Sequence, residues 1–131
     1  MKKKILLVDD EKDFLDIMSQ KIRSWGYEVV SASNAEDAMR AFKRERPSAA
    51  ILDYVMPEVN GVQLLMRIRA VDMKIPVIMF TVKPQSEVIE DAEKLDILAF
   101  IPKLSPYTDT QANLKTALSI AFQKEKGKNA R

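Results

Sequence analysis

Five residues with chemically useful side chains stand at corresponding places along the chain. Asp9 and Asp10 follow the apolar run Ile5–Val8, and Asp53 ends the run Ala49–Leu52. Thr81 ends Val77–Phe80, and Lys103 follows Ile97–Ile101. Three carboxylates gathered in one pocket repel, by roughly 4 kcal/mol for a pair about 4 Å apart at an effective dielectric near ~20. Such a cluster either keeps a proton or binds a divalent cation. The chain has no histidine and no cysteine. The ligands would therefore be oxygens, which selects Mg2+, Mn2+ or Ca2+ over Zn2+. Mg2+ suits the set because it takes few protein carboxylates, keeps waters and bridges to phosphate oxygens. With the cation bound, an exposed carboxylate can act as a nucleophile toward phosphorus. Lys103 then offers a positive charge and Thr81 a hydroxyl donor to a transferring phosphoryl group.

The elements that must position these groups are legible in the apolar pattern. Five short apolar runs, near residues 5–8, 28–31, 49–52, 77–80 and 97–101, read as strands. Between them lie segments with helical spacing. Phe14, Leu15, Met18, Ile22 and Trp25 mark the first helix, and Gly26 stops it. Asn34 caps a second helix carrying Ala38, Met39 and Phe42. A loop containing Met56-Pro57 and Asn60-Gly61 leads to a third helix, with Leu64, Leu65 and Ile68 facing inward. Ser86 opens a fourth helix with Val88, Ile89, Ala92 and Leu95, and a last one carries Leu114, Ala117, Leu118 and Ala121. Strands alternating with helices predict a parallel sheet covered on both faces. The carboxyl ends of such strands share one edge, where ligands bind.

Composition excludes several classes. A chain of 131 residues fits one domain, and 47% hydrophobic content supports an ordinary core. Without cysteine or histidine there is no disulfide framework, no Ser-His catalysis and no phosphohistidine on this chain. The net charge of +2 comes from the ends: without residues 123–131 the chain carries 17 basic and 18 acidic residues. This reads as a domain over residues 1–122 followed by a basic, frayed or disordered tail at 123–131, not as a nucleic-acid-binding surface. Lys2–Lys4 are followed by only four apolar residues, too few for a secretory segment, and no run spans a bilayer. The expected location is the cytoplasm.

The ordered set Asp9-Asp10, Asp53-Tyr54-Val55-Met56-Pro57 with Gly61, Thr81 and Lys103 resembles the receiver domain of two-component response regulators, over about residues 3–122. The resemblance implies an α/β, flavodoxin-like, doubly wound sheet of five parallel strands in the order 2-1-3-4-5 with five helices. It implies that Asp53 is the phosphoacceptor, and that Asp9, Asp10, Asp53 and the backbone carbonyl of Val55 hold Mg2+, or Mn2+ in its place. Thr81 and Lys103 would contact the phosphoryl group. Thr81 and Phe100 would form a switch that biases the surface of the fourth helix, fifth strand and fifth helix. Simple packing of Phe100 on strand five is the competing reading. The implied donor is a sensor histidine kinase or phosphotransfer protein. The implied recipient is a downstream effector or a fused output domain, and receivers also form homodimers through the switched face. No enzyme turnover beyond self-phosphorylation and self-dephosphorylation is expected.

Two other classes compete. One is a phosphorylation-independent binding module on the same fold. The other is a phosphotransferase of the haloacid dehalogenase type, which needs an aspartate where Val55 stands. Three departures from the receiver pattern bear on rates. Leu104 replaces the usual proline after Lys103, which predicts a trans bond and a rearranged loop stiffened by Pro106. Val82 replaces a small residue after Thr81 and is expected to crowd the site and slow both transfer and hydrolysis. Val55 and Lys83 flank the pocket without a group to orient the hydrolytic water, which favours a long-lived phosphorylated form.

Overall fold

The three central apolar runs become strands because neither of their faces meets water, whereas the two outer runs keep partly exposed residues. In the computed structural model these are β1 (Lys4–Val8), β2 (Glu28–Ala32), β3 (Ala49–Asp53), β4 (Val77–Thr81) and β5 (Ala99–Pro102). The structure describes residues 2–56, 58–82, 90, 93–103 and 108–129, with backbone alone for 124–129. All strands pair in parallel in the order β2-β1-β3-β4-β5, the flavodoxin-like order expected. Alternate residues feed opposite layers. Leu6, Val8, Ala50, Leu52, Val77 and Met79 pack in one layer with Ala38, Phe42, Leu64 and Leu65, whereas Ile5, Leu7, Ala49, Ile51, Ile78 and Phe80 pack in the other with Phe14, Met18, Leu114 and Leu118.

The described helices are α1 (Lys12–Ser24), α2 (Ala35–Glu45), α3 (Gly61–Val71) and α4 (Thr108–Asn129). Five helices are expected and four described. The helix expected from Ser86, with Val88, Ile89 and Ala92, lies outside the described residues apart from its end. Pro57, Lys83, Leu104 and Pro106 also lie outside them. The helical backbone of α4 continues past Gly127 to Asn129. Gly in a helix costs only about 1 kcal/mol against Ala, and the lysines and glutamate around it favour the helix.

Local signals act as their chemistry dictates. Gly26 takes φ 98° just after α1, a left-handed turn that a side chain would strain. Asn34 Oδ1 accepts from Asp37 N at 2.8 Å and starts α2. Asn60 and Gln63 form a reciprocal capping box at the start of α3. Among the described residues no helix is long and apolar enough to cross a membrane.

At the sheet edge where β4 and β5 begin, the buried Arg69 of α3 donates to four backbone carbonyls. They belong to Leu95 (2.8 Å), Asp96 (2.9 Å), Ile75 (2.7 Å) and Asp72 (3.3 Å). A guanidinium with its donors spread in a rigid fork can serve several carbonyls at once.

Candidate functional site

The carboxyl ends of β1, β3, β4 and β5 meet at one edge because the strands are parallel and in register. Asp53 is opposite Phe80, and Thr81 is opposite Pro102, the residue before Lys103. Backbone bonds tie these ends together: Tyr54 N donates to Phe80 O at 2.8 Å, and Lys103 N to Thr81 O at 2.7 Å. Gly61, the first residue of α3, lies hard against the end of β3. A Cβ there would sit 2.5 Å from Asp53 O and 2.8 Å from Tyr54 Cα. Glycine is required at this position by close approach and not by its φ angle.

Three predicted carboxylates converge. Asp9, Asp10 and Asp53 each offer an oxygen within 4.8 Å of the others. Asp9 and Asp53 are buried, and Asp10 is exposed. Asp9 Oδ1 accepts from Glu11 N at 2.9 Å, and its buried Oδ2 lies 2.9 Å from Lys103 Nζ. Such a set suits a hard divalent cation: every ligand atom is a carboxylate oxygen, and the exposed Asp10 keeps the site open to water. Val55 N donates to Asp53 Oδ1 at a long 3.4 Å, which places the Val55 backbone beside the cluster.

Lys103 Nζ sits among the acids, 2.7 Å from Glu11 Oε1, 2.9 Å from Asp9 Oδ2 and 3.6 Å from Asp53 Oδ2. It also lies 4.3 Å from the centre of the Phe14 ring, which stacks edge-on against Phe80. Burial alone would lower the lysine pKa, but the hydrogen bonds to Glu11 and Asp9 and the charge of Asp53 outweigh it and hold it above the ordinary value. Burial raises the Asp9 carboxyl against the pull of Lys103. Burial, reinforced by the charge of Asp9 and opposed by that of Lys103, pushes Asp53 up to about 7. Crowded acids in a dry pocket thus leave Asp53 partly protonated near neutral pH.

Thr81 is also at this edge, buried, and its hydroxyl has no partner among the described residues. Val82, next to it, is exposed, as is Val55. Phe100 is half-buried on β5. It packs against the α2–α3 layer and lines a groove of about 340 Å3 between β5 and α4, with Ile120 and Asn113 on the far side. The structure therefore gathers Asp9, Asp10, Asp53, Thr81 and Lys103 at one edge, and sets Phe100 apart from them on β5.

Sequence reasoning missed Glu11. Its carboxylate reaches a lysine 92 positions away. The available signal was its type: glutamate is a poor helix N-cap, and at this N-cap its side chain makes no capping bond.

Comparison with known proteins agrees with the fold. Residues 5–115 match the response regulator receiver domain. The chain is 32% identical over 85 residues to the alkaline phosphatase synthesis transcriptional regulatory protein PhoP of Bacillus subtilis, covering 65% of this chain but 35% of that protein. It is 29% identical over 103 residues to sporulation initiation phosphotransferase F of the same organism, covering 79% of this chain and 83% of that one. A crystal structure of a CheY-like receiver domain protein from Methanospirillum hungatei superposes with a TM-score of 0.83 at 26% identity, over 95% of this chain and 99% of that one. The chain belongs to the response regulator receiver domains, the signalling domains of two-component phosphorelay systems.

Proposed function

We propose that Asp53 is the phosphoacceptor of a signalling switch that needs a divalent cation. The observation that carries this reading is the convergence of three carboxylates within 4.8 Å, with a buried lysine 3.6 Å from Asp53. Asp9, Asp10, Asp53 and the Val55 carbonyl would hold Mg2+, which supplies charge neutralisation and a bridge to phosphoryl oxygens. An Asp53 oxygen attacks phosphorus and forms the acyl phosphate bond. The donor's P–N bond breaks, and the histidine imidazole of a sensor kinase or phosphotransfer protein leaves and takes up a proton. Lys103 and Thr81 would meet the phosphoryl oxygens. Thr81 would then draw in and Phe100 would follow, changing the face of β5 and α4 seen by an effector, a fused output domain or a second copy of the chain. A cytoplasmic location follows from this partner set.

Incubation with a small acyl phosphate and Mg2+ is expected to raise the intact mass by one phosphoryl group. The gain disappears in Asp53→Ala and with a chelator present. A chain that stays unlabelled would instead act as a binding module on the same fold.

Thr81→Val separates structure from chemistry. A buried hydroxyl without a partner costs roughly 1–3 kcal/mol. The substitution is therefore expected to leave stability unchanged or raise it by up to about 1 kcal/mol, while slowing the labelling of Asp53. Urea unfolding and the rate of mass gain, measured on the same protein, check both halves.

A further inference from the structure

Three carboxylates compete for one ammonium at the candidate site, and the nearest of them is not in the predicted set. Glu11 Oε1 accepts from Lys103 Nζ at 2.7 Å, whereas Asp53 Oδ2 is 3.6 Å away. The Lys103 side chain is 3% exposed and that of Glu11 54%. Glu11 thus covers the ammonium from the solvent side, while Asp9 holds it from below at 2.9 Å. The position also opens α1, where Ser, Thr, Asp or Asn would cap the helix, yet this side chain makes no capping bond. Its carboxylate is committed to the lysine instead of to its own helix.

We propose that Glu11 is a positioning residue for phosphoryl transfer: it holds the Lys103 ammonium away from Asp53 until a phosphoryl group competes for it. The proposal rests on Asp53 being the acceptor. For Lys103 to move fully onto a phosphoryl group at Asp53, it would loosen its shortest contact. The hold therefore stabilises the resting form and adds to the barrier for acceptance. Glutamate reaches the lysine, whereas aspartate, one methylene shorter, keeps the charge without the reach and is itself a good helix cap. Glutamine keeps the length without the charge.

The test uses the full chain with Mg2+ and acetyl phosphate, following the rate of mass gain for the parent, Glu11→Gln, Glu11→Asp and, as a control, Glu36→Gln on the exposed side of α2. Loss of a partly exposed, charge-assisted contact predicts labelling about three- to tenfold faster in both Glu11 variants and an unchanged rate in the control. A merely structural role would slow labelling or leave it alone. Either Glu11 variant labelling no faster than the control overturns the proposal. So does Glu11→Asp labelling at the parent rate while Glu11→Gln is fast, since charge alone would then explain the effect.

A second measurement does not depend on labelling. Urea unfolding of Glu11→Gln, Lys103→Met and the double variant is expected to show coupling of about threefold or more in the unfolding constant. No coupling overturns the hold whether or not Asp53 is labelled. Coupling without label on any chain overturns the acceptor reading, and with it the role of the hold in transfer.

Discussion

Asp53→Asn is expected to be more stable than the parent at pH 8 without divalent ions, and to lose that advantage by pH 4. Asp53 titrates near 7 in the folded chain against an ordinary 3.8, driven first by burial and then by the charge of Asp9. The folded state therefore holds a proton that the unfolded state releases between these values. Stability from this group is fully present below about pH 4 and falls as pH rises through 7. Above that, the ionised Asp53 destabilises the fold by about 1–3 kcal/mol, because Asp9 and Lys103 share the titration and soften the effect. Asparagine keeps the shape and carries no charge, so the difference between variant and parent isolates this one group. Added Mg2+ acts in the opposite sense. It stabilises the parent by mass action and the variant much less. Urea midpoints at pH 4.5 and 8, with and without Mg2+, check all of this. A variant no more stable than the parent at pH 8 would contradict the site electrostatics.

Gly61→Ala is expected to lose about 2–3 kcal/mol of stability and most of the affinity for Mg2+. The added methyl would lie 2.5 Å from Asp53 O and 3.1 Å from Asp53 C. These are backbone atoms at the end of a strand paired on both sides, so no flexible side chain can yield. Either α3 retreats, which opens the core at Leu64 and Leu65, or the end of β3 moves and carries the Asp53 carboxylate out of the cluster. Asn60→Ala provides the contrast. It removes the capping box next door and costs about 1 kcal/mol, but it puts nothing against β3 and leaves metal affinity intact. Calorimetric titration with Mg2+ alongside urea unfolding separates the two. Equal metal affinity in the parent and Gly61→Ala would show that the close approach does not position the site.

The legible parts of the sequence were those whose physics is local or follows directly from topology. Strands buried on both faces show as unbroken apolar runs, and Gly26, Asn34 and Asn60 announce helix ends by chemistry that acts within a few residues. The site set was legible because parallel strands bring their carboxyl ends to one edge, so Asp9, Asp53, Thr81 and Lys103 could be matched strand by strand. Side chains that choose partners across the fold were not legible. Glu11 meets Lys103 only because β1 and β5 bring their ends together. The burial of Arg69 follows only from the path of the chain through Asp72, Ile75, Leu95 and Asp96. Phe100 could be placed on β5 by pattern, but the groove beside it depends on how α4 lies.

The position of Arg69 has a mechanical consequence. Its guanidinium joins the end of α3 to the starts of β4 and β5, at the edge of the sheet opposite the carboxylates. The residues that lead into β4 and β5 are therefore fastened to the end of α3, as a fan is pinned at the handle. Displacements at the carboxyl ends of these two strands would pivot about that pin, largest where Thr81 and Lys103 stand and smallest at Arg69. A shift of this kind leaves the hydrogen-bonded ladder between β4 and β5 unbroken. A movement begun at one phosphoryl-sized spot would thus reach the outer face of β5 as a tilt, with no need to unfold any part of the sheet.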